Sequence, residues 1–499
     1  MNPTDVLRAS NFGKRVAEEE TNDLSAYFVQ TEQWRKVFNG EVDTIYGPKG
    51  SGKSAIYLLM TEHQVDFYGR GVILVPAEEP RGQPAFRTVE TDPPTSEPEF
   101  QGLWKLYFAT LIQASLRDYQ IDNEPARNLR RILDEAHLIA ASGGLAQILQ
   151  NVRAYVRHVF RPPAAVEAGV QLNQLSGAVE GVSGKIVFAE PPINRPDLTS
   201  VDRLLKYGND ALAVSRSTIW LVLDRLDVAF ADNTDLEKNA LRALFRVYLD
   251  MRSLPNVVPK IFLRTDIWKR ITEEGFREAS HITNSVTIRW EPRTLLNLVV
   301  NRLLKNSAIC EYYGVDPAAV RASAAKQEAF FYRVFPQQID AGPNKPKSIM
   351  WMITRTQDGT RQPAPREIIH LLNAARDNQL QRLELGTDED ESGTLISRQA
   401  IREALPEVSR TRLQQTVYAE YPRLKPLIER LQGQHTLQHV DTLASIWGTT
   451  TEETRRHAND LVEIGFFEPR GTNDDPLFWV PFVYRDAAQM IQGTASADE

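Results

Sequence analysis

The chain has a single cysteine, Cys310, which excludes an internal disulfide and any cysteine-rich metal cluster and fits a reducing compartment. No apolar run reaches the roughly 18 residues that cross a bilayer, and Met1 to Lys14 lacks the apolar core of a secretion signal. The expectation is a cytoplasmic protein with no membrane partner. Charge of one sign is also scarce. With 58 Lys and Arg against 65 Asp and Glu, the net −7 supplies no global field for phosphate backbones, so nucleic acid would need a local basic patch. Cys310 itself lies in an apolar helical stretch and reads as buried rather than reactive.

What is present is globular material. A hydrophobic share of 42% with 25% charged residues excludes a largely disordered or fibrous chain, and 499 residues suggest about two to four domains. Val42 to Tyr46 is short, partly β-branched and bounded by Gly40 and Gly47, so it reads as a buried strand, and helical spacing starts at Ser54. Gly71 to Pro76 reads as a second strand, followed by a proline-rich insertion at 79–98 and a helix from Phe100 to Tyr119. Residues 161–196 read as a loop with a short hairpin. Ser217 to Leu223 and Pro259 to Leu263 are further apolar runs, separated by a helical pattern from Leu236 to Met251. Such alternation implies a parallel sheet covered on both faces.

The segment Gly47-Pro48-Lys49-Gly50-Ser51-Gly52-Lys53-Ser54 fits G-x-x-x-x-G-K-S between a strand and a helix. There the backbone N–H groups of the loop and helix N-terminus converge on phosphate oxygens, and the glycines let the backbone approach. Lys53 is placed to reach the β- and γ-phosphates of ATP, and the Ser54 hydroxyl to hold Mg2+. Such a loop needs a carboxylate at the end of a nearby strand. Asp224, directly after an apolar run, is the candidate metal ligand. Asp227 reads either as the group orienting the attacking water or as a cap or partner of Arg225.

Arg264 ends the next apolar run and reads as a γ-phosphate sensor or a surface ion pair. Arg366, in the first turn of a helix begun by Pro365, reads as a second sensor on a lid or a solvated helix end. Arg242 and Arg246 are candidates for an arginine acting on a neighbouring subunit, and Glu237 is an alternative water-orienting group. The organisation is an N-terminal segment 1–38, an α/β P-loop NTPase core 39–291 and a helical lid subdomain 292–386. An acidic linker 387–395 then leads to 396–499, which ends as a winged helix does, with helix Glu452 to Ile464 before a hairpin.

The phosphate loop, Leu223-Asp224-Arg225-Leu226-Asp227, Phe262-Leu263-Arg264-Thr265-Asp266 and Pro365-Arg366 together resemble STAND- and KAP-type P-loop ATPases, of the sort found among predicted antiviral defence ATPases. Asn11-Phe12-Gly13 and the ending Trp479-Val480-Pro481-Phe482-Val483-Tyr484 are similar to that group as well. The resemblance implies a sheet of the additional-strand (ASCE) class, a helical lid and a C-terminal winged helix. Arg225 stands where many AAA+ ATPases carry a glutamate.

The implied activity is ATP hydrolysis driving a conformational or oligomeric switch, with a protein effector or self-association as partner and a role in antiviral defence. Two alternatives remain: an origin-recognition-like DNA-binding ATPase and a small-molecule kinase. DNA is disfavoured by charge, since 396–499 carries 11 Lys and Arg against 15 Asp and Glu, and the expected wing tip holds Asp474 and Asp475.

Overall fold

The computed structural model describes residues 2–20, 24–78, 94, 96–139, 144–161, 172–173, 178–179, 186–188, 198–226, 234–273, 275–387, 393–472 and 474–495. The chain forms two units: Glu32–Gly47 with Lys53–Thr287, and Met1–Thr31 with Pro48–Gly52 and Ile288–Glu499.

The first unit is built on a five-stranded, all-parallel sheet of β1 (Thr44–Gly47), β2 (Val72–Pro76), β3 (Thr218–Leu223), β4 (Val257–Arg264) and β5 (Ser285–Thr287). The order across it is β2-β3-β4-β1-β5. One strand, β4, is thus inserted between the strand that feeds the phosphate loop and the strand that ends at Asp224, which is the additional-strand arrangement. All four residues of β1 and five of six in β3 are buried, because helices cover both faces of a parallel sheet and leave no polar side.

Those helices include α1 (Lys53–Glu62), α2 (Glu97–Asp118), α3 (Thr234–Met251) and α4 (Thr265–Glu273). The fully buried Trp104 of α2 donates its indole N–H to Ala240 O of α3 at 2.9 Å, which fixes the two helices against each other. Helix α2 begins at Glu97, inside the span that composition assigns to the insertion, because Ser96 caps it and Pro98 occupies the first turn, where a missing N–H costs nothing. The rest of the 79–98 span, apart from Pro94 and Ser96–Pro98, lies outside the described residues. In 161–196, Leu172–Asn173 pairs antiparallel with Ala178–Val179, a minimal hairpin.

In the second unit the N-terminal segment, the lid helices and the C-terminal region share one core. Arg302 is the pin of the N-terminal segment: buried, it donates to both Glu20 carboxylate oxygens (2.7 and 3.2 Å) and to Phe12 O, and stacks over Tyr27. Helices α5 (Pro365–Leu385) and α6 (Arg398–Arg412) pack along each other, and Leu395 and Ile396 at the linker's end are buried. Residues 388–392 of that linker lie outside the described set. Cys310 is a buried free thiol whose pKa burial pushes up.

The winged helix consists of β6 (His435–His439), α7 (Val440–Trp447), α8 (Thr451–Glu463), β7 (Glu468–Gly471), β8 (Pro476–Trp479) and β9 (Ile491–Thr494), with sheet order β7-β8-β6-β9. Helix α7 stops at left-handed Gly448, and a Thr450–Glu453 capping box starts α8. Among the described residues no helix is long and apolar enough to cross a membrane.

Candidate nucleotide site

The carboxyl ends of β1 to β4 gather polar groups, as the ends of parallel strands do. Gly47 closes β1 and Lys53 opens α1, the strand–loop–helix order that aims backbone N–H groups outward. Lys53 is half-buried and its Nζ donates to Gly47 O at 2.9 Å, curled over its own loop. Gly50 and Gly52 hold φ of +77° and +95°, and a Cβ at Gly52 would meet nothing within 4 Å. The backbone at Gly52 is therefore open to an approaching group.

At the end of β3, Asp224 is 3% exposed. Arg225 follows at φ +59°, a left-handed conformation costing a non-glycine residue about 1 kcal/mol, of a kind that collects at functional sites. Asp227 lies outside the described residues. At the end of β4, Arg264 pairs in register with Gly47, so the sensor candidate starts beside the phosphate loop. Its guanidinium is bidentate to Asp266 (3.1 and 2.7 Å). Burial pushes the Asp266 carboxyl up, but Arg264 outweighs it and holds the group below the usual range.

A further carboxylate escaped sequence reasoning. Ala77 N donates to Val222 O at 2.8 Å, which carries the β2–β3 pairing one residue on and leaves Glu78 beside the Leu223–Asp224 end of β3. Glu78 is fully buried, and Tyr57 of α1 donates its hydroxyl to the Glu78 carbonyl at 2.5 Å. The available signal was the one used for Asp224, an acidic residue directly after an apolar strand; the prolines that follow hid it. The other candidates are engaged within their own unit. Arg270 pairs with Glu237 at 2.8 Å, Arg242 donates twice to Ile271 O, and Arg246 bridges Glu97 and Glu278. Those contacts occupy both arginines proposed to act on a neighbour.

In the second unit, the middle of the phosphate loop is held from three sides. Trp290 donates its indole N–H to Ser51 O at 2.8 Å. Lys49 pairs with Glu420, which follows a π-helical turn (Leu413–Tyr418) continuing α6. A Cβ on Gly50 would lie 3.3 Å from the Arg366 Cβ and 3.5 Å from that of Ala364. Arg366 therefore stands against Gly50 on the first turn of α5. It borders a cleft of about 180 Å³ lined by Arg15, Val16, His370, Gln415 and Thr416 among others.

From this turn a buried ion-pair chain runs outward. Arg412 of α6 donates to Glu367 Oε1 and Asp358 Oδ2, both at 2.8 Å. Burial alone would lower the Arg412 pKa and does raise that of Asp358; the carboxylates around Arg412 keep it fully charged. Next to Asp358, Gly359 N donates to Gly465 O at 2.7 Å, and a Cβ on Gly359 would strike the Phe467 carbonyl at 2.1 Å. The loop before α5 is thereby pressed onto the joint between α8 and the wing. Nothing local predicts these pairings, because Glu367 and Arg412 are 45 residues apart.

No family model matches the sequence, and no curated protein is similar to it. Among solved structures, the chain is similar to the Aeropyrum pernix ORC2 protein in its ADPNP–ADP complexes, at 12% identity over 90% of this chain and 86% of that one, with a TM-score of 0.29. A likeness that distant says nothing of activity.

Proposed function

We propose that the protein binds and hydrolyses ATP and uses nucleotide state to reposition its lid and winged helix, regulating a protein partner or its own assembly. The observation that carries this reading is that Arg366 packs against Gly50 of the phosphate loop while its neighbour Glu367 pairs with Arg412, which also holds Asp358. An anion seated against the middle of the loop competes with Glu420 for the charge of Lys49. A ligand that favours one set of pairings over the other shifts the population of the lid, and the buried chain passes that shift to the α8–wing joint. The antiviral setting rests on the resemblance alone.

Ser54 and Asp224 offer the hard oxygen ligands that Mg2+ takes, and the open cradle at Gly52 suits a phosphate. When bound, the ion neutralises phosphate charge. Asp224 keeps its own carboxylate buried at the strand ends; in this reading Arg264 acts as a γ-phosphate sensor by exchanging Asp266 for the nucleotide, Arg366 is assigned the role of second sensor, and Asp227 orients the attacking water.

Calorimetry and phosphate release on single variants test these roles. Asp224→Asn is expected to lose about tenfold or more in Mg2+-dependent ATP affinity and to hydrolyse slowly. Asp227→Asn keeps size and hydrogen bonding but accepts no proton, so near-normal binding with roughly hundredfold slower turnover is expected. It should hold whichever mass ATP favours in light scattering. Wild-type turnover in Asp227→Asn with slow turnover in Glu78→Gln would move the water-orienting role to Glu78. A wild-type chain that binds no Mg·ATP would end the reading.

A further inference from the structure

The acidic balance of 396–499 hides an arginine ribbon that only the fold assembles. Arg470 of β7 stacks on Trp479 of β8 at 3.9 Å, and Arg485 lies over the same ring at 4.6 Å. Arg485 also stacks on Phe482 at 4.0 Å, and Arg355, from the lid helix Ser348–Thr356, stacks on Phe482 at 4.1 Å. The ribbon extends at both ends through shared carboxylates. Glu468 accepts from Arg470 (2.7 Å) and from Arg361 (2.6 Å), and Asp340 lies between Arg355 (3.5 Å) and Arg402 (3.3 Å).

Five guanidiniums, three of them from 396–499, thus meet two pairing carboxylates, and Asp486 also acts on Arg485, which still leaves positive charge in local excess beside a domain that is negative as a whole. Stacking on an aromatic face fixes the plane of a guanidinium; the Nε–H of Arg485 donates to Val480 O and that of Arg470 to Glu468, so it is the terminal N–H groups that offer an edge to an oxyanion. Burial, then the neighbouring charges of Arg355 and Arg470, bring the Arg485 pKa down to about 10, so a counter-anion there relieves existing repulsion. Arg361 and Arg402 are 64% and 43% exposed, open to a partner.

We infer that this ribbon is a docking surface for an acidic, Asp- and Glu-rich segment of a partner protein. Carboxylates already satisfy the arginines at both ends, which shows the chemistry the ribbon accepts. A DNA duplex is disfavoured by its surroundings. Asp474 and Asp475 are exposed at the tip of the hairpin that carries Arg470, and α8 exposes Glu452, Glu453, Asp460 and Glu463 against Arg455 and Arg456. A long polyanion meets those charges, whereas a short acidic segment needs only the ribbon. The surface does not rest on the nucleotide reading.

The test is fluorescence anisotropy on the full chain with a labelled peptide of alternating Asp and Glu, beside single-stranded and duplex DNA. Peptide binding that weakens with salt and exceeds DNA binding is expected. Arg470→Ala with Arg485→Ala should lower peptide affinity about tenfold. The exposed pair Arg361→Ala with Arg402→Ala carries little folding risk and should lower it several-fold, Arg485→Lys should fall between, and Arg455→Ala with Arg456→Ala should change nothing. Three results would overturn the inference: no peptide binding by the wild-type chain, peptide affinity indifferent to the ribbon variants, or DNA bound more tightly than peptide through the same arginines.

Discussion

Lys53→Ala is expected to bind ATP about a hundredfold or more weakly than the wild-type chain while melting at nearly the same temperature. In the proposed site Lys53 faces two phosphates, and charge-assisted hydrogen bonds of roughly 1.5–3 kcal/mol each would be lost with it. The folded chain loses far less. Lys53 is only half-buried, so water takes over much of its bond to Gly47 O when the side chain is removed. Isothermal titration with ATP and a thermal melt on the same preparation separate the two effects. Unchanged ATP affinity would remove the phosphate-loop assignment, and a large drop in melting temperature would mean that the lysine supports the fold.

Arg412→Met is expected to have the largest effect on stability, about 3–5 kcal/mol, because it leaves two buried carboxylates facing each other without their cation. Glu367 and Arg412 are 6% and 8% exposed at the side chain, so solvent cannot replace the lost partner. A triple variant that adds Glu367→Gln and Asp358→Asn should recover most of that loss, since neutral amides cost much less to bury than charges. Denaturant unfolding reads both. With stability recovered, the same variant isolates what the ion-pair chain does besides holding the fold. It should bind ATP normally yet show no ATP-dependent change of mass or lid protection in hydrogen exchange. A stable Arg412→Met would show that the pair is idle, and an intact ATP response in the triple variant would route the coupling elsewhere.

Much of the candidate site's backbone setting could be read from the sequence because its information is local. The phosphate loop needs only a strand end, glycines at positive φ and a helix start, all within Thr44–Glu62. Asp224 and Arg264 are legible for a similar reason, since the residue that ends a buried strand of a parallel sheet falls at its carboxyl edge. Glu78 follows the same rule and was missed only because proline composition marked its surroundings as insertion.

The winged helix was legible from a helical stretch followed by a hairpin, and α8 runs one residue earlier at each end than spacing suggests, its start being set by the Thr450 cap. By itself, then, the sequence determined the elements and the groups at their ends, where φ preferences and hydrophobic period act over a few residues. It could not determine which distant groups meet. The Glu367–Arg412–Asp358 chain, the pinning of Glu20 by Arg302 and the ribbon that joins Arg355 and Arg361 to Arg470 and Arg485 were decided by the tertiary structure. Burial sets these pairings: a charge removed from water must find its counterion or ring in three dimensions, and no spacing along the chain encodes that search.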